Sequence, residues 1–302
     1  MSFDVVIVGG GPAGLSAALN LGRSRKRVLL CDAGPRRNAA AEQIHGFVTR
    51  DGTPPDEFRR IGRQQLEPYA SVEARDVGVE AIRGERGAFE VRLATGPVEA
   101  RRILLCTGMV DELPDIDGFR ELWGHSIFQC PYCHGWEVQD RRFGFLAPGV
   151  EALDFALFLR NWTRDVVLLT DGRFAVPPEA QERLAGAGVG IEERRITRLS
   201  GSAGRLELVE LAGGSPLPLD ILFARPPQRQ VPLVQSLGLE LDEGGYLRLD
   251  EQRQTSIPGI YAGGDLVTSA QSATLAAASG VQAAAMLNHG LTLELAANGA
   301  LP

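Results

Sequence analysis

The first 32 residues carry the pattern that most limits what this chain can fold into. The apolar run from Asp4 to Val8 is typical of a buried parallel strand, and the Ala- and Leu-rich segment from Leu15 to Leu21 is typical of a helix. Between them, Gly9, Gly11 and Gly14 have the spacing G-x-G-x-x-G. Such glycines permit a tight turn, a close approach of the backbone to a diphosphate, and close helix–strand packing. The segment therefore predicts a βαβ unit that binds a dinucleotide at the helix N-terminus.

A second strand strengthens this prediction. Arg27 to Cys31 ends in Asp32, about twenty residues downstream, where an acidic side chain can accept hydrogen bonds from ribose hydroxyls. Glycines alone occur in any tight turn, but strand, turn, helix, strand and acid in this order indicate a dinucleotide site.

Composition narrows the class of protein. A length of 302 residues favours two domains. The net charge of −7 and the lack of a basic run argue against a nucleic-acid partner, and four cysteines are too few for a disulfide scaffold. We find no signal-peptide pattern and no apolar stretch of roughly 18 residues, so we expect a soluble cytoplasmic protein without a membrane partner.

Two later strand-like runs end in residues that suit a ligand. One closes on Thr107-Gly108 and the other on Gly264-Asp265. Asp265, placed before a predicted helix over Gln271–Leu287, is positioned to hydrogen-bond a sugar-like polyol.

Residues 34–56 are rich in Gly, Pro, Arg and Asn and predict a long loop, a kind of segment that is often functional or merely mobile. Asn38, Gln43 and His45 in this loop could face a ligand, or the loop could be solvated.

The order strand, turn, helix, strand recurs in the middle of the chain, at 142–147, 148–149, 150–160 and 165–170. Strand-like alternation resumes at 245–249. We predict an α/β protein with two Rossmann-like three-layer domains, the second inserted into the first. The first domain would comprise 1–113 and 226–302, and the inserted domain 114–225.

The second unit is degraded as a nucleotide site. Its three turn positions read Ala147, Gly149 and Ala152, and Pro148 removes a backbone donor. Asp171 at the following strand end would repel the 2′-phosphate of NADP, although it could accept the ribose of NAD. We favour a scaffold that binds no nucleotide.

Cys130 and Cys133 form the one chemically reactive pattern in this region. Two thiols three residues apart at the start of a helix can close and open a disulfide, because the helix N-terminus favours a thiolate. A zinc site would need further ligands, and only Cys31 and Cys106 remain. The run from Cys130 to His134 also matches a c-type haem attachment site, and the two cysteines could be a chance buried pair. Our hypothesis is that the pair exchanges two electrons with a flavin.

These motifs resemble, in order and spacing, the low-molecular-weight thioredoxin reductases: Gly9-Gly10-Gly11-Pro12-Ala13-Gly14, Thr107-Gly108, Cys130-Pro131-Tyr132-Cys133 and Ala262-Gly263-Gly264-Asp265. The resemblance covers nearly the whole chain. It implies FAD held by the first and last segments, an inserted NADPH-type domain that carries the cysteines, and a homodimer.

The resemblance also implies a set of site residues. Asp32 would take the adenosine ribose and Asp265 the ribityl chain, while Gln271 and Ser272 would lie near the isoalloxazine ring, where the reductases have Arg-Gln. Cys133 would face the flavin and Cys130 would attack the partner sulfur. The predicted cofactor-binding residues are Gly9, Gly11, Pro12, Ala13, Gly14, Asp32, Asn38, Thr107, Gly108, Gly264, Asp265, Gln271 and Ser272.

Two departures from the reductases resemble the dithiol oxidase branch, the gliotoxin- and holomycin-type flavoenzymes with the motif CxxCH. His134 replaces an acidic residue after the second cysteine, and the glycine turn and arginine cluster of the second domain are missing. NADPH use is therefore doubtful. Imidazole titrates near neutral pH, so His134 could take and release a thiol proton, or it could merely hydrogen-bond.

We expect a flavoenzyme that oxidises a dithiol with Cys130, Cys133 and His134 as catalytic residues. A disulfide reductase fed by NAD(P)H or another donor is the second function that the motifs allow. A non-catalytic flavin-binding redox sensor is the third. The expected partner is a small dithiol or disulfide, or a thioredoxin-like protein.

Overall fold

The computed structural model describes residues 2–34 and 36–301. Its strands are β1 (Phe3–Val8), β2 (Val28–Cys31), β3 (Val72–Arg75), β4 (Val79–Glu85), β5 (Ala88–Leu93), β6 (Gly96–Leu105), β7 (Met109–Asp111), β8 (Ile127–Phe128), β9 (Phe143–Leu146), β10 (Val166–Leu169), β11 (Val189–Glu192), β12 (Ile196–Ser202), β13 (Arg205–Leu211), β14 (Leu217–Pro218), β15 (Ile221–Ala224), β16 (Gln228–Gln230) and β17 (Ile260–Ala262). Its α-helices are α1 (Pro12–Arg23), α2 (Pro55–Gln64), α3 (Phe119–Leu122), α4 (Pro131–His134), α5 (Asp154–Leu159), α6 (Pro178–Gly186), α7 (Pro232–Ser236) and α8 (Ala273–Ala297). Short 3₁₀ helices cover Val150–Ala152 and Asp265–Val267.

The chain divides into two compact units. Unit 1 comprises 1–39, 47–110 and 228–302, and unit 2 comprises 40–46 and 111–227. Segment 40–46 belongs to unit 2 although it lies within the N-terminal part of the chain. We predicted domain boundaries between residues 113 and 114 and between residues 225 and 226. They concern domains that fold independently, and they stay predictions.

Unit 1 is built on a sheet in the order β3-β2-β1-β6-β5-β4, with β17 also paired to β6. Strand β6 is long enough to serve two partners on one side: its first half pairs antiparallel with β5, and Ile103–Leu105 pairs parallel with β17. Strands β3, β2, β1, β6 and β17 are parallel. β1 and β2 are buried along nearly their whole length, as the apolar runs predict for a sheet covered on both faces.

Unit 2 holds a second parallel sheet in the order β11-β10-β9-β15-β8, and a separate antiparallel sheet of β12, β13 and β14. The helices α5 and α6 follow β9 and β10 in the chain, as expected for βαβ crossovers. The predicted α/β class with two parallel-sheet units is confirmed.

Three predicted elements differ from the structure. The helix predicted at 150–160 is split into a 3₁₀ turn and α5. The strand predicted at 245–249 is wrong, because Leu247 makes only an isolated bridge to Leu241. Helix α8 continues ten residues past its predicted end at Leu287, to Ala297.

Candidate functional site

The predicted dinucleotide-binding residues of unit 1 come together at one edge of its sheet. Strands β2, β1, β6 and β17 are parallel neighbours, so their carboxyl ends meet there. Asp32 follows β2, the Gly9–Gly14 turn follows β1, Thr107-Gly108 follows β6, and Gly264-Asp265 follows β17. This edge is where ligands bind in open α/β sheets.

The glycine turn has the shape that a diphosphate requires. Gly9 has φ +113°, and a side chain there would overlap the carbonyl of Cys106, while a side chain at Gly14 would overlap the carbonyl of Gly9. Around Gly11, in contrast, a Cβ would meet nothing within 4 Å. Helix α1 begins next to Gly11 with Pro12 in its first turn, no acidic residue there and no side-chain cap. Its first backbone N–H groups thus suit an anion, and the turn fits a dinucleotide.

Asp32 is buried, with 6% exposure, and is already engaged by neighbouring residues. Arg59 and Arg63 on α2 both pair with its Oδ2, Arg63 at 3.2 Å, and the backbone N–H of Gly34 donates to its Oδ1 at 3.0 Å. Burial of a carboxylate requires such partners. The sequence prediction missed both arginines, whose i,i+4 spacing places them on one face of α2.

Asp265 and Gln271 lie in a polar network of unit 1. Arg37 Nη1 is 3.1 Å from Asp265 Oδ2 and donates to Gln271 Oε1 at 2.5 Å. Ser272 is the N-cap of α8, where its Oγ accepts the N–H of Leu275 at 3.1 Å. Asn38 is exposed in the turn after Arg37. The contact of Gln271 and Ser272 with a flavin stays a prediction.

In unit 2, Cys130 and Cys133 form a disulfide with a Cα–Cα distance of 5.3 Å. Cys130 is the N-cap of α4, and Cys133 lies within that helix, as the sequence predicts. The side chains that flank the disulfide are aromatic and exposed, Tyr132 to 75% and Trp136 to 71%. Cys130 and Cys133 are themselves partly exposed, and exchange with an incoming thiol requires such access.

The other two cysteines are unsuited to exchange. Cys31 and Cys106 are free thiols in the core. Burial raises the pKa of Cys31 to about 11 and the pKa of Cys106 to about 12. Since the thiolate is the nucleophile, both remain inert at neutral pH.

His134 has an unusual environment for a histidine. Its ring stacks on Phe128 with centroids 4.3 Å apart and planes at 13°. Both ring nitrogens are buried, and neither has a hydrogen-bond partner among the described residues. Burial lowers the pKa of His134, opposed by the nearby backbone of Cys130 and the charge of Glu137. The imidazole is therefore neutral at physiological pH and able to accept a proton.

A second histidine lies in the same unit. His45 Nε2 is 3.5 Å from Glu137 Oε1, and its charge, when present, also acts to lower the pKa of His134. The sequence prediction placed His45 in a long loop of the first domain, where it could face a ligand or solvent. The structure instead packs segment 40–46 into unit 2, where Ala40 lies against Gly124.

The turn of the second parallel sheet differs from that of the first. The carboxylate of Glu151 lies so close to Gly149 that a Cβ there would be 2.5 Å from Oε2. Asp171 accepts the N–H of Ile196 at 2.7 Å and pairs with Arg173 at 3.1 Å. An acidic side chain thus lies beside this turn, and Asp171, the candidate ribose acceptor, has structural partners. Separately, no helix among residues 2–34 and 36–301 is long and apolar enough to cross a membrane.

Comparison with known proteins agrees with this arrangement. Residues 3–280 match the family model described as pyridine nucleotide-disulphide oxidoreductase. The solved structure of an oxidoreductase from Agrobacterium tumefaciens has a TM-score of 0.91 and 38% identity, covering 97% of this chain and 99% of that one. Thioredoxin reductase tcpT of Claviceps purpurea is 31% identical over 276 residues, 87% of this chain and 86% of that protein. A probable thioredoxin reductase of Arthroderma benhamiae is 38% identical over 177 residues, which is 56% of this chain and 44% of that protein.

These relatives confirm the resemblance to thioredoxin reductases that the ordered motifs predict. The family match spans nearly all of both units, including the glycine turn of α1 and the Cys130–Cys133 disulfide. The chain belongs to the pyridine nucleotide-disulphide oxidoreductase family of enzymes.

Proposed function

We propose that this protein is an FAD-dependent dithiol oxidase. The observation that carries the proposal is the Cys130–Cys133 disulfide next to His134, a neutral imidazole with buried ring nitrogens, in a chain that also retains an open diphosphate turn at Gly11. Membership of the family implies a flavin cofactor in general. The residues at the carboxyl edge of unit 1, above all the Gly9–Gly14 turn and Asp265, would hold it.

The thiol chemistry balances within the cysteine pair. One substrate thiolate attacks Cys130, which forms a mixed disulfide and releases Cys133 as a thiolate. The second substrate thiol then attacks the substrate sulfur that is bonded to Cys130. This step closes the product disulfide, releases Cys130 and leaves both cysteines reduced. Two electrons and two protons have moved from substrate to enzyme. A bound flavin would supply a two-electron acceptor for the reduced cysteines, and molecular oxygen would be the terminal oxidant, reduced to hydrogen peroxide.

His134 is suited to the proton transfers of these steps. A thiol near its ordinary pKa of about 8.5 is mostly protonated at neutral pH, so exchange requires a base. The lowered pKa of His134 keeps its imidazole neutral, and no side chain among the described residues hydrogen-bonds its nitrogens. General-base assistance of this kind contributes roughly 100-fold or more.

The proposal is tested by oxygen consumption. Purified, FAD-loaded protein should take up oxygen when given dithiothreitol and release one hydrogen peroxide per disulfide formed. Cys130→Ser and Cys133→Ser should each abolish turnover, whereas Cys106→Ala, which alters a buried thiol outside the disulfide, should retain it. Turnover that survives Cys130→Ser would overturn the proposal, because electrons would then reach oxygen without the disulfide. A wild-type protein that binds FAD but turns over no thiol would favour a non-catalytic flavin-binding redox sensor.

The second candidate is a thioredoxin reductase-like disulfide reductase, which the names of the relatives favour. NADPH-dependent insulin reduction coupled through thioredoxin would support it, and oxygen uptake with dithiothreitol would then be slow. The partner would be a thioredoxin-like protein instead of a small dithiol. A homodimer and a cytoplasmic location remain predictions under either candidate.

A further inference from the structure

Arg37 connects the segment after β2 to the segment between β17 and α8. Its Nη1 is 3.1 Å from Asp265 Oδ2 and donates to Gln271 Oε1 at 2.5 Å. All three residues belong to unit 1. The Arg37 and Asp265 side chains are about one-fifth exposed, so water screens this ion pair less than it screens a surface pair.

The amide of Gln271 is held from a second direction. Gln228 Nε2 donates to Gln271 Oε1 at 3.1 Å, and Gln271 Nε2 donates to Gln228 Oε1 at 2.9 Å and to the carbonyl of Thr268 at 3.1 Å. Tyr246 donates its hydroxyl to Gln228 at 3.2 Å. These bonds fix the amide with its oxygen towards Arg37, so the guanidinium binds to a preformed acceptor.

The charges at this edge of the sheet require a cation. A dinucleotide would bring a diphosphate to the turn beside Gly11 after β1, and Asp265 adds a carboxylate after β17, which lies on the other side of β6 at the same edge of the sheet. Like charges at the same edge repel each other. The Arg37 guanidinium offsets the charge of Asp265 while leaving a carboxylate, which is a strong acceptor for sugar hydroxyls.

We propose that Arg37 is a cofactor-positioning residue: anchored on the Gln271 amide, it holds the Asp265 carboxylate in place for the polyhydroxyl chain of the flavin. The proposal rests on the flavin site proposed above. It adds a role for Arg37, a residue that lies outside the glycine motif and the strand ends. It also requires that Arg37 act through Asp265.

The test is FAD affinity, measured by titrating the apoprotein with FAD and following the change in flavin fluorescence. We expect Arg37→Gln to weaken binding roughly tenfold to a hundredfold, the usual effect of losing a charge-assisted hydrogen bond. Arg37→Lys should restore most of the affinity, because a single nitrogen of Arg37 makes both contacts and an ammonium can replace it. Arg50→Gln is the matched control, since Arg50 lies in the same loop and donates to the carbonyl of its neighbour Thr49. It should bind FAD as the wild type does.

A double variant separates positioning from a purely structural role. If Arg37 acts through Asp265, Arg37→Gln combined with Asp265→Asn should bind FAD no more weakly than Asp265→Asn alone. The titrations belong at low temperature, where circular dichroism shows each apoprotein to be folded, so that lost stability does not pass for lost affinity.

Several outcomes would overturn the proposal. One is an FAD affinity of Arg37→Gln within twofold of the wild type. Another is a double variant whose loss of FAD affinity equals the product of the losses in the two single variants. If Arg37→Gln does not fold, Arg37→Lys decides, and a Lys variant as weak as Asp265→Asn would count against the proposal. A wild-type apoprotein that takes up no FAD would remove the flavin site itself, whereas tight wild-type binding with an unaffected Arg37→Gln removes only the role of Arg37.

Discussion

At the scale of single residues, a substitution of His134 separates a catalytic role of this side chain from a role in packing. Its ring stacks on Phe128, and its two nitrogens are buried without partners among the described residues. His134→Phe keeps a stacked ring and removes two unsatisfied polar atoms. We therefore expect stability to be unchanged or higher by about 1 kcal/mol, since unmade buried hydrogen bonds are costly. Dithiothreitol-dependent oxygen uptake should fall roughly 100-fold. A variant with normal turnover would reduce His134 to a stacking residue.

The same residue predicts a pH dependence of stability. The pKa of His134 in the folded protein lies below its ordinary value of 6.5, because burial disfavours the imidazolium. Between the two values the unfolded state binds more protons, so stability rises with pH and is fully present above about 6.5. This part of the stability is lost as the pH falls from the unfolded-state pKa of His134 to its lower folded-state pKa. Urea unfolding between pH 5 and pH 7 should show this loss in the wild type and less of it in His134→Phe. Trp123, Trp136 and Trp162 all lie in unit 2, so tryptophan fluorescence reports on the correct unit.

Residues that act through local patterns could be predicted from the sequence, and residues that act through distant contacts could not. Cys130 and Cys133 stand out in the sequence by their spacing, and the structure pairs them at the start of α4, because both lie in one short segment. Arg37 and His45 were not assigned their partners. Asp265 lies 228 positions from Arg37 in the chain, and the sequence around His45 does not indicate Glu137 as its partner. Only the fold brings such pairs together.

At the scale of elements, α8 is anchored by a buried charge. Arg102 on β6 is 1% exposed and donates to Glu294 Oε2 at 2.7 Å, and Arg86 donates to the same oxygen at 2.8 Å. Burial alone would raise the pKa of Glu294, but the two arginines outweigh it and lower the pKa. Glu294→Gln leaves the Arg102 guanidinium buried without its counter-ion, which should cost about 3 kcal/mol.

Chemical unfolding followed by circular dichroism at pH 7 would measure this loss in unit 1. The contribution of a carboxylate with a depressed pKa is present above its unfolded value of about 4.5 and is lost as pH falls through the folded value, so wild type and variant should converge in acid. Arg101→Gln is the control, because the pair of Arg101 with Asp4 is long, at 3.8 Å, and partly exposed. An equal loss in both variants would contradict the anchoring role.

The element predictions failed where tertiary contacts override local signals. The sequence Asn288-His289-Gly290 looks like a helix stop, and the prediction ended α8 at Leu287. The helix continues because Leu291 and Leu295 are buried, and because Gly290 leaves room for the hydroxyl of Tyr261, which a Cβ would approach to 3.2 Å. The opposite error occurred at 245–249, where alternation without a neighbouring strand produces no sheet.

At the scale of the whole molecule, two parallel sheets share one architecture but differ in what their turns can bind. The turn after β1 presents Gly11 to open space and an uncapped α1. The corresponding turn after β9 contains Pro148, the Glu151 carboxylate beside Gly149, and a 3₁₀ turn in place of a helix start. Repetition of the fold was predictable from its apolar runs. Repetition of the ligand site was not, since a site depends on a few backbone positions and charges.

This asymmetry predicts that FAD and pyridine nucleotides affect the protein differently. FAD added to the apoprotein should raise its thermal midpoint with concentration, because a ligand stabilises the state it binds. NADPH and NADH at millimolar concentrations should leave the midpoint of the FAD-loaded protein unchanged, because Glu151 would repel their diphosphate and Asp171 is held by Ile196 and Arg173. Anaerobic NADPH should likewise bleach the flavin absorbance slowly or not at all, while dithiothreitol should bleach it quickly. Rapid stoichiometric bleaching by NADPH would show that the inserted unit delivers electrons from a pyridine nucleotide, and the reductase candidate would then replace the oxidase.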